Sequence, residues 1–173
     1  MTEVQQDFGP IVSSGHLASG ALPALSEIEF GLIMLNHAFS RWMVRCMAAA
    51  GVPDLSPMDI LILHNIRSRS KPRTIADIGL ILNIEDTHVV TYAIKKLERL
   101  KLIRSGKRGK EKIVSMTSAG EEACDRYFQI RETLLVKSVL STEMSSESLS
   151  SIAGRLRALS GHYDQAARSA ASM

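Results

Sequence analysis

Three helix-start signals follow one another at short intervals: Ser56-Pro57 with Asp59, Thr74 with Asp77, and Glu85-Asp86. A side-chain oxygen at an N-cap satisfies an amide that the first helical turn leaves without a partner, and an acid three residues on can accept from the cap's own N–H. Starts this close together permit only short helices joined by tight turns. The first helix runs from Met58 through Leu61 and Ile62 to about Arg69. Ile60-Leu61-Ile62-Leu63 alone reads as a buried strand, but the cap and the continuation to Asn65-Ile66 outweigh it. Arg67-Ser68-Arg69-Ser70-Lys71-Pro72 is a basic, helix-breaking connection. Ile75 to about Leu82 is a second helix ended by Asn83, and a third runs to Leu100. Short helix, tight turn, longer helix is the order of a helix-turn-helix.

In the third helix Val90, Ile94 and Leu97 recur at helical spacing and face the core, which turns Thr87, His88, Thr91, Tyr92, Lys95 and Lys96 to solvent. Residues 102–105 and 112–116 then read as two short strands joined by Gly106-Lys107-Arg108-Gly109-Lys110-Glu111. Composition matters here because the charge is concentrated. Residues 66–112 hold thirteen of the 21 Lys and Arg but five of the 18 Asp and Glu, so this stretch is +8 while the remainder sums to −5. A local cation of this size points to a polyanionic partner, and double-stranded DNA fits best. An α-helix enters the major groove, where Thr, His and Lys side chains meet base edges and Tyr or Lys reaches phosphate. A basic hairpin beside it, carrying Arg104, Lys107, Arg108 and Lys110, lies along the backbone or enters the minor groove, with Arg108 at the loop centre the best placed. Gly106-x-x-Gly109-Lys110 lacks the spacing and the hydroxyl of a nucleotide-binding loop.

The flanks carry a different pattern. Residues 1–25 hold Gly9-Pro10, Gly20 and Pro23 without helical or strand period and form an arm. Ser26 and Glu29 have capping-box spacing, so a helix begins there. Along it Ile28, Leu32, Leu35, Phe39, Trp42 and Cys46 form a heptad stripe, with Phe30, Ile33, Met34 and Met43 on a second side. Near the other end Leu149, Ile152, Leu156, Leu159 and Tyr163 repeat the stripe after Thr142, Glu143, Ser145, Ser146 and Glu147, which suit a helix start. The first helix is either a core helix buried by its own domain or one shared with a dimer partner. The matching stripe favours the second, and two such helices, with Leu35, Phe39, Trp42, Ile152, Leu156 and Leu159 at their centres, suggest a dimerisation layer between two copies of the chain.

Other classes are excluded by what is missing. A chain of 173 residues buries one good core, or one small domain with helical extensions. Cys46 and Cys124 cannot make a disulfide framework and read as buried small hydrophobes; with no signal-peptide pattern the expectation is a cytoplasmic protein. No apolar run reaches membrane-spanning length, so no membrane partner is expected. His16, His37, His64, His88 and His162 show no zinc spacing, and no nucleophile elbow or dinucleotide fingerprint is present. No metal, no cofactor and no enzymatic activity are expected.

The order of helix, short helix, longer helix with Lys96-Leu97-Glu98-Arg99-Leu100-Lys101-Leu102-Ile103, basic hairpin, and Met116-Thr117-Ser118-Ala119-Gly120 resembles the MarR family of winged helix-turn-helix regulators over about residues 30–160. The resemblance implies a mainly α fold with a small β-hairpin wing (α+β): a winged helix-turn-helix with flanking N- and C-terminal dimerisation helices. Its parts are an arm at 1–25, an N-terminal dimerisation helix at 26–55, a DNA-binding domain at 56–117 and C-terminal dimerisation helices at 118–173. It also implies a homodimer on a palindromic operator, repression by promoter occlusion, and a small-molecule effector for which His37, Arg41, Arg45 and His64 offer polar contacts. Thr91 falls on the family's DNA-contacting threonine. Tyr92 stands where arginine is common, Lys101 where the family has glycine, and the wing lacks an Asp-x-Arg-Arg pattern. A winged helix that binds protein rather than DNA is the alternative reading.

Overall fold

In the computed structural model, which describes residues 9–68, 72–142 and 144–173, the middle of the chain folds as its capping signals dictate. Helix α2 spans Pro57–Arg67 and α3 Ile75–Leu82, each opened by a reciprocal capping box: Asp59 N donates to Ser56 Oγ and Ser56 N to Asp59 Oδ2, while Asp77 N donates to Thr74 Oγ1 and Thr74 N to Asp77 Oδ2. Helix α4, Thr87–Arg99, is capped by Asp86, whose Oδ1 accepts from His88 N at 2.8 Å. Asn83 ends α3 in the left-handed conformation (φ +52°), a position Asn tolerates better than most residues. Residues 69–71 of the basic connection lie outside the described residues.

Two strands, β2 (Ile103–Arg108) and β3 (Glu111–Met116), form the hairpin, and a two-residue strand β1, Arg73–Thr74, pairs with Val114 and Ile113 to give the antiparallel order β1-β3-β2. The hairpin is longer than its sequence suggests. Gly109 takes φ +64°, so the chain reverses over Gly109-Lys110 and the ladder closes as far out as Arg108 opposite Glu111. Arg108 therefore ends a strand rather than standing at the middle of a loop. Strand β1 has no counterpart in the sequence pattern, because two residues are too few to show a period.

The described chain divides into two compact units, ending and beginning at Phe128 and Gln129. The first has its core where α1 (Pro23–Ala49), α2, α3, α4 and β3 supply Met47, Ile60, Ile62, Leu63, Ile78, Val90, Ile94, Leu97 and Val114, all essentially inaccessible to water. Each side chain of this size stabilises by roughly 1.5–3 kcal/mol when buried. Helix α1 starts three residues before the expected cap. Pro23 stands in its first turn with helical φ already set, and Ser26 is buried inside the helix rather than capping it. Before it Leu17–Ser19 make one 3-10 turn; residues 1–8 of the arm are outside the described residues. Helix α5, Ser118–Ile130, supplies Ala123, Cys124 and Tyr127 to the same core.

Two backbone junctions set the hairpin against this core. Beyond α4, Lys101 takes φ +60°, Lys101 N donates to Glu98 O (2.9 Å) and Leu102 N to Leu97 O (3.0 Å), the paired bonds of a Schellman motif. The Thr117 hydroxyl donates to Lys101 O (2.7 Å) and accepts from Gly120 N (3.1 Å), while Thr117 N donates to Leu102 O (3.1 Å). Gly120 lies so close to that carbonyl that a β-carbon would stand 2.1 Å from Leu102 O.

The second unit contains a π-helical turn at Arg131–Val136, the short α6 (Lys137–Leu140) and the long α7 (Ser146–Ala170), with Ser145 Oγ accepting from Ser148 N. Glu143, part of the expected start signal, lies outside the described residues. No described helix is long and apolar enough to cross a membrane.

Candidate nucleic-acid interface

Amphipathicity decides which side of α4 can meet a ligand. Val90, Ala93, Ile94 and Leu97 are buried, and this leaves Thr87, His88, Tyr92 and Lys95 exposed with Thr91 half-buried between them. Tyr92 projects most, at 70% exposure. The Thr91 hydroxyl donates to Thr87 O at 2.9 Å within the helix, leaving its oxygen lone pairs and its methyl group for a partner.

Lys96 does not belong to that face. Its ammonium is held 2.8 Å from Asp59 Oδ2 and 2.6 Å from Asp54 O, against a carboxylate that is 4% exposed. One oxygen of Asp59 thus closes the cap of α2 and anchors α4 together. The expectation that Lys96 reaches phosphate is corrected: its charge is spent inside the domain, and moving it would strand a buried anion.

The hairpin divides its cations by strand parity. Ile103, Ser105 and Lys107 share one face with Lys112, Val114 and Met116, and the buried Ile103 and Val114 show that this face looks inward. Arg104 and Arg108 point to the other face, where Arg104 Nε donates to Ser115 Oγ at 3.2 Å and Arg108 lies 3.8 Å from Glu111. Both partners of the second pair are about two-thirds exposed, so water screens it heavily and Arg108 can exchange Glu111 for a phosphate. Arg104, Lys107, Arg108 and Lys110 are all exposed. Asp77 is held below the usual carboxylate range, first by its hydrogen bonds with Thr74 and further by the charges of Arg108 and Arg73.

The four effector candidates are not brought to one described crevice. His37, Arg41 and Arg45 are exposed at successive i, i+4 positions of α1. His64 lies on α2, its ring edge-on to Tyr127 with centroids 4.5 Å apart, and burial lowers its pKa. A hollow of about 320 Å³ is walled by Met58, Asp59, His88, Val89 and Tyr92, and another of about 470 Å³ by Gly51–Asp54, Arg99 and Arg126; neither is lined by any of the four. Both cysteines are buried. Burial raises the Cys46 thiol and pushes Cys124 up to about 11, so neither is a ready thiolate.

Sequence reasoning missed two residues that shape this surface. Glu98 Oε2 takes Lys112 Nζ at 3.2 Å, and Asp59 takes Lys96; each pairing joins positions far apart in the chain, for which no periodicity gives a signal.

Residues 55–120 match the family model described as a winged helix DNA-binding domain. No curated protein sequence matches the chain. Among solved structures, a mutant MarR from E. coli complexed with operator DNA superposes with a TM-score of 0.65 at 14% identity, over 82% of this chain and 99% of that one. A Staphylococcus aureus MarR in complex with salicylate and kanamycin gives 0.64 at 16% identity, over 86% and 98%. An S. aureus MepR–DNA complex gives 0.62 at 16%, over 76% and 94%. At such identities the likeness establishes the fold: mainly helical, with a three-stranded antiparallel wing.

Proposed function

We propose, from the premise that this chain is a winged-helix DNA-binding protein with the fold of the MarR regulators, that it is a transcription regulator acting on duplex DNA as a homodimer. The observation that carries the reading is the division of α4: Val90, Ile94 and Leu97 are locked in the core while Thr87, His88, Tyr92 and Lys95 stand free beside a hairpin of exposed cations. In this reading α4 lies in the major groove with Thr91 and His88 at base edges, and Lys107, Arg108 and Lys110 meet the backbone or the minor groove. Two copies present two reading helices about one helical turn of DNA apart, which matches a palindromic operator, and occupancy of a promoter represses it. Exposed Leu35 and Phe39 on α1 and Ile152 on α7 supply apolar surface for the second copy. Release by a small organic effector belongs to the same reading. The S. aureus MarR structure holds salicylate and kanamycin, and the hollow beside Tyr92 lies against α4, where an occupant would oppose DNA.

Selection of bound duplexes from a random pool at near-physiological salt tests the reading as a whole. An enriched, two-fold symmetric site is expected, with affinity falling by orders of magnitude between about 50 and 200 mM salt. Arg108→Ala should weaken binding to every sequence and flatten the salt dependence, while Thr91→Ala should chiefly relax base preference. A pool that stays random through repeated rounds overturns the proposal.

A further inference from the structure

The outer half of the wing has little packing to hold it. Past Ile103 every residue of β2 is exposed, and on β3 only Val114 is fully buried. Edge pairing with β1 reaches only to Ile113. The hairpin also contains an electrostatic conflict, because Lys107 and Lys112 are direct cross-strand partners on its inward face, and like charges so placed repel.

One carboxylate answers both problems. Glu98, on the last turn of α4, holds Lys112 Nζ of β3 at 3.2 Å, across the ladder from Lys107 of β2. It is three-quarters buried, and although burial pulls its pKa up, the neighbouring Ser105 and Lys112 outweigh this and hold it below the ordinary glutamate value. A single side chain of the reading helix thus holds the wing through β3, to which β2 is paired, at the point where hydrophobic contact ends. It also neutralises Lys112 and so relieves its repulsion of Lys107.

We propose that Glu98 is a positioning residue that fixes the wing relative to the reading helix, so that Lys107, Arg108 and Lys110 engage the same duplex as Thr91 and Lys95. The inference rests on the DNA-binding reading above and adds a residue that itself touches no DNA. Its test turns on a difference of sign. If Glu98 were only a negative charge near phosphates, Glu98→Gln would raise the positive charge of the domain, tighten binding and steepen the salt dependence. As a positioning residue, its loss sets the wing adrift.

The experiment measures affinity against salt for the wild type, Glu98→Gln and the double swap Glu98→Lys with Lys112→Glu, on the selected duplex and on a random one, with hydroxyl-radical footprints and melting temperatures alongside. Glu98→Gln is expected to bind the selected duplex roughly tenfold more weakly, with the salt slope reduced by about one for each phosphate that the wing no longer reaches. Its footprint should lose the flanks that the wing covers and keep the centre under α4. The swap keeps the net charge and reverses the pair, and should recover most of the affinity and the flanking protection. A Glu98→Gln protein that binds as tightly as the wild type or tighter overturns the proposal, as does a folded swap variant with no recovery. A wild type that binds no duplex overturns the DNA-binding reading instead, so the two failures are distinguishable.

Discussion

Lys101 carries a side chain where the backbone asks for none. Its φ of +60° places a β-carbon against the following carbonyl, at a cost that glycine escapes, yet the Schellman bonds on either side require that conformation. Lys101→Gly is expected to raise stability by about 1 kcal/mol, read as a higher urea midpoint with unchanged slope. Gly120 is the converse. Its missing β-carbon lets α5 approach Leu102 O, and Gly120→Ala should lower stability by about 2–3 kcal/mol in the same titration. These two positions show how far a sequence can be read at this scale. Thr117-x-x-Gly120 is visible as a motif and Lys101 as an unusual occupant. The reason for Gly120 is one carbonyl oxygen, that of Leu102, whose neighbours are set by folding and not by spacing along the chain, and the reason for Lys101 is the pair of bonds to Leu97 O and Glu98 O that closes α4.

The helices are legible because their signals are local. Ser56 with Asp59 and Thr74 with Asp77 lie within one turn, so sequence and structure agree on where α2 and α3 begin. Ser26 with Glu29 has the same spacing and makes no cap, because a proline three residues earlier has already set the helical backbone. The couplings between elements are invisible for the opposite reason, since Asp59 and Lys96 belong to different helices. Lys96→Met should keep most of the packing of the stem yet leave Asp59 as a buried, half-compensated anion; a loss of about 3 kcal/mol is expected by denaturant unfolding. His64 joins α2 to α5 through Tyr127 and gives a pH dependence of known sign. Burial lowers its pKa below the ordinary value of 6.5, so between the two values the unfolded chain binds a proton that the folded one refuses. The stability contributed by the neutral ring is therefore complete above pH 6.5 and declines as pH falls below it. His64→Phe keeps a ring against Tyr127 without the titration, and its melting temperature should fall less than the wild type's between about pH 7.5 and 5.5. Parallel curves would remove His64 from the acid response.

Taken whole, the chain leaves more apolar side chain in water than a solitary molecule needs. On α1, Leu35 and Phe39 of the heptad row and Ile33 and Met34 on the second side are exposed by 45–58%, and on α7 Leu149, Ile152 and Tyr163 of the row read from the sequence by 38–45%. The hydrophobic effect acts on such rows until a second surface covers them, and a second copy offers a surface of the same chemistry. Leu35→Glu with Ile152→Glu alters side chains that already face solvent, so each unit should keep its fold, while a paired interface would have to bury several unpaired carboxylates. Light scattering is expected to give twice the chain mass for the wild type and the chain mass for the double variant, with circular dichroism unchanged. The same loss should reach DNA, because a dimer binds both half-sites of a palindrome in one event and a monomer must bind each alone. The variant should therefore bind the full operator little better than a single half-site, whereas the wild type should prefer the full operator by about a hundredfold or more. A wild type that scatters as a single chain at micromolar concentration, or that holds half and full sites equally, would show that these rows are covered in some other way.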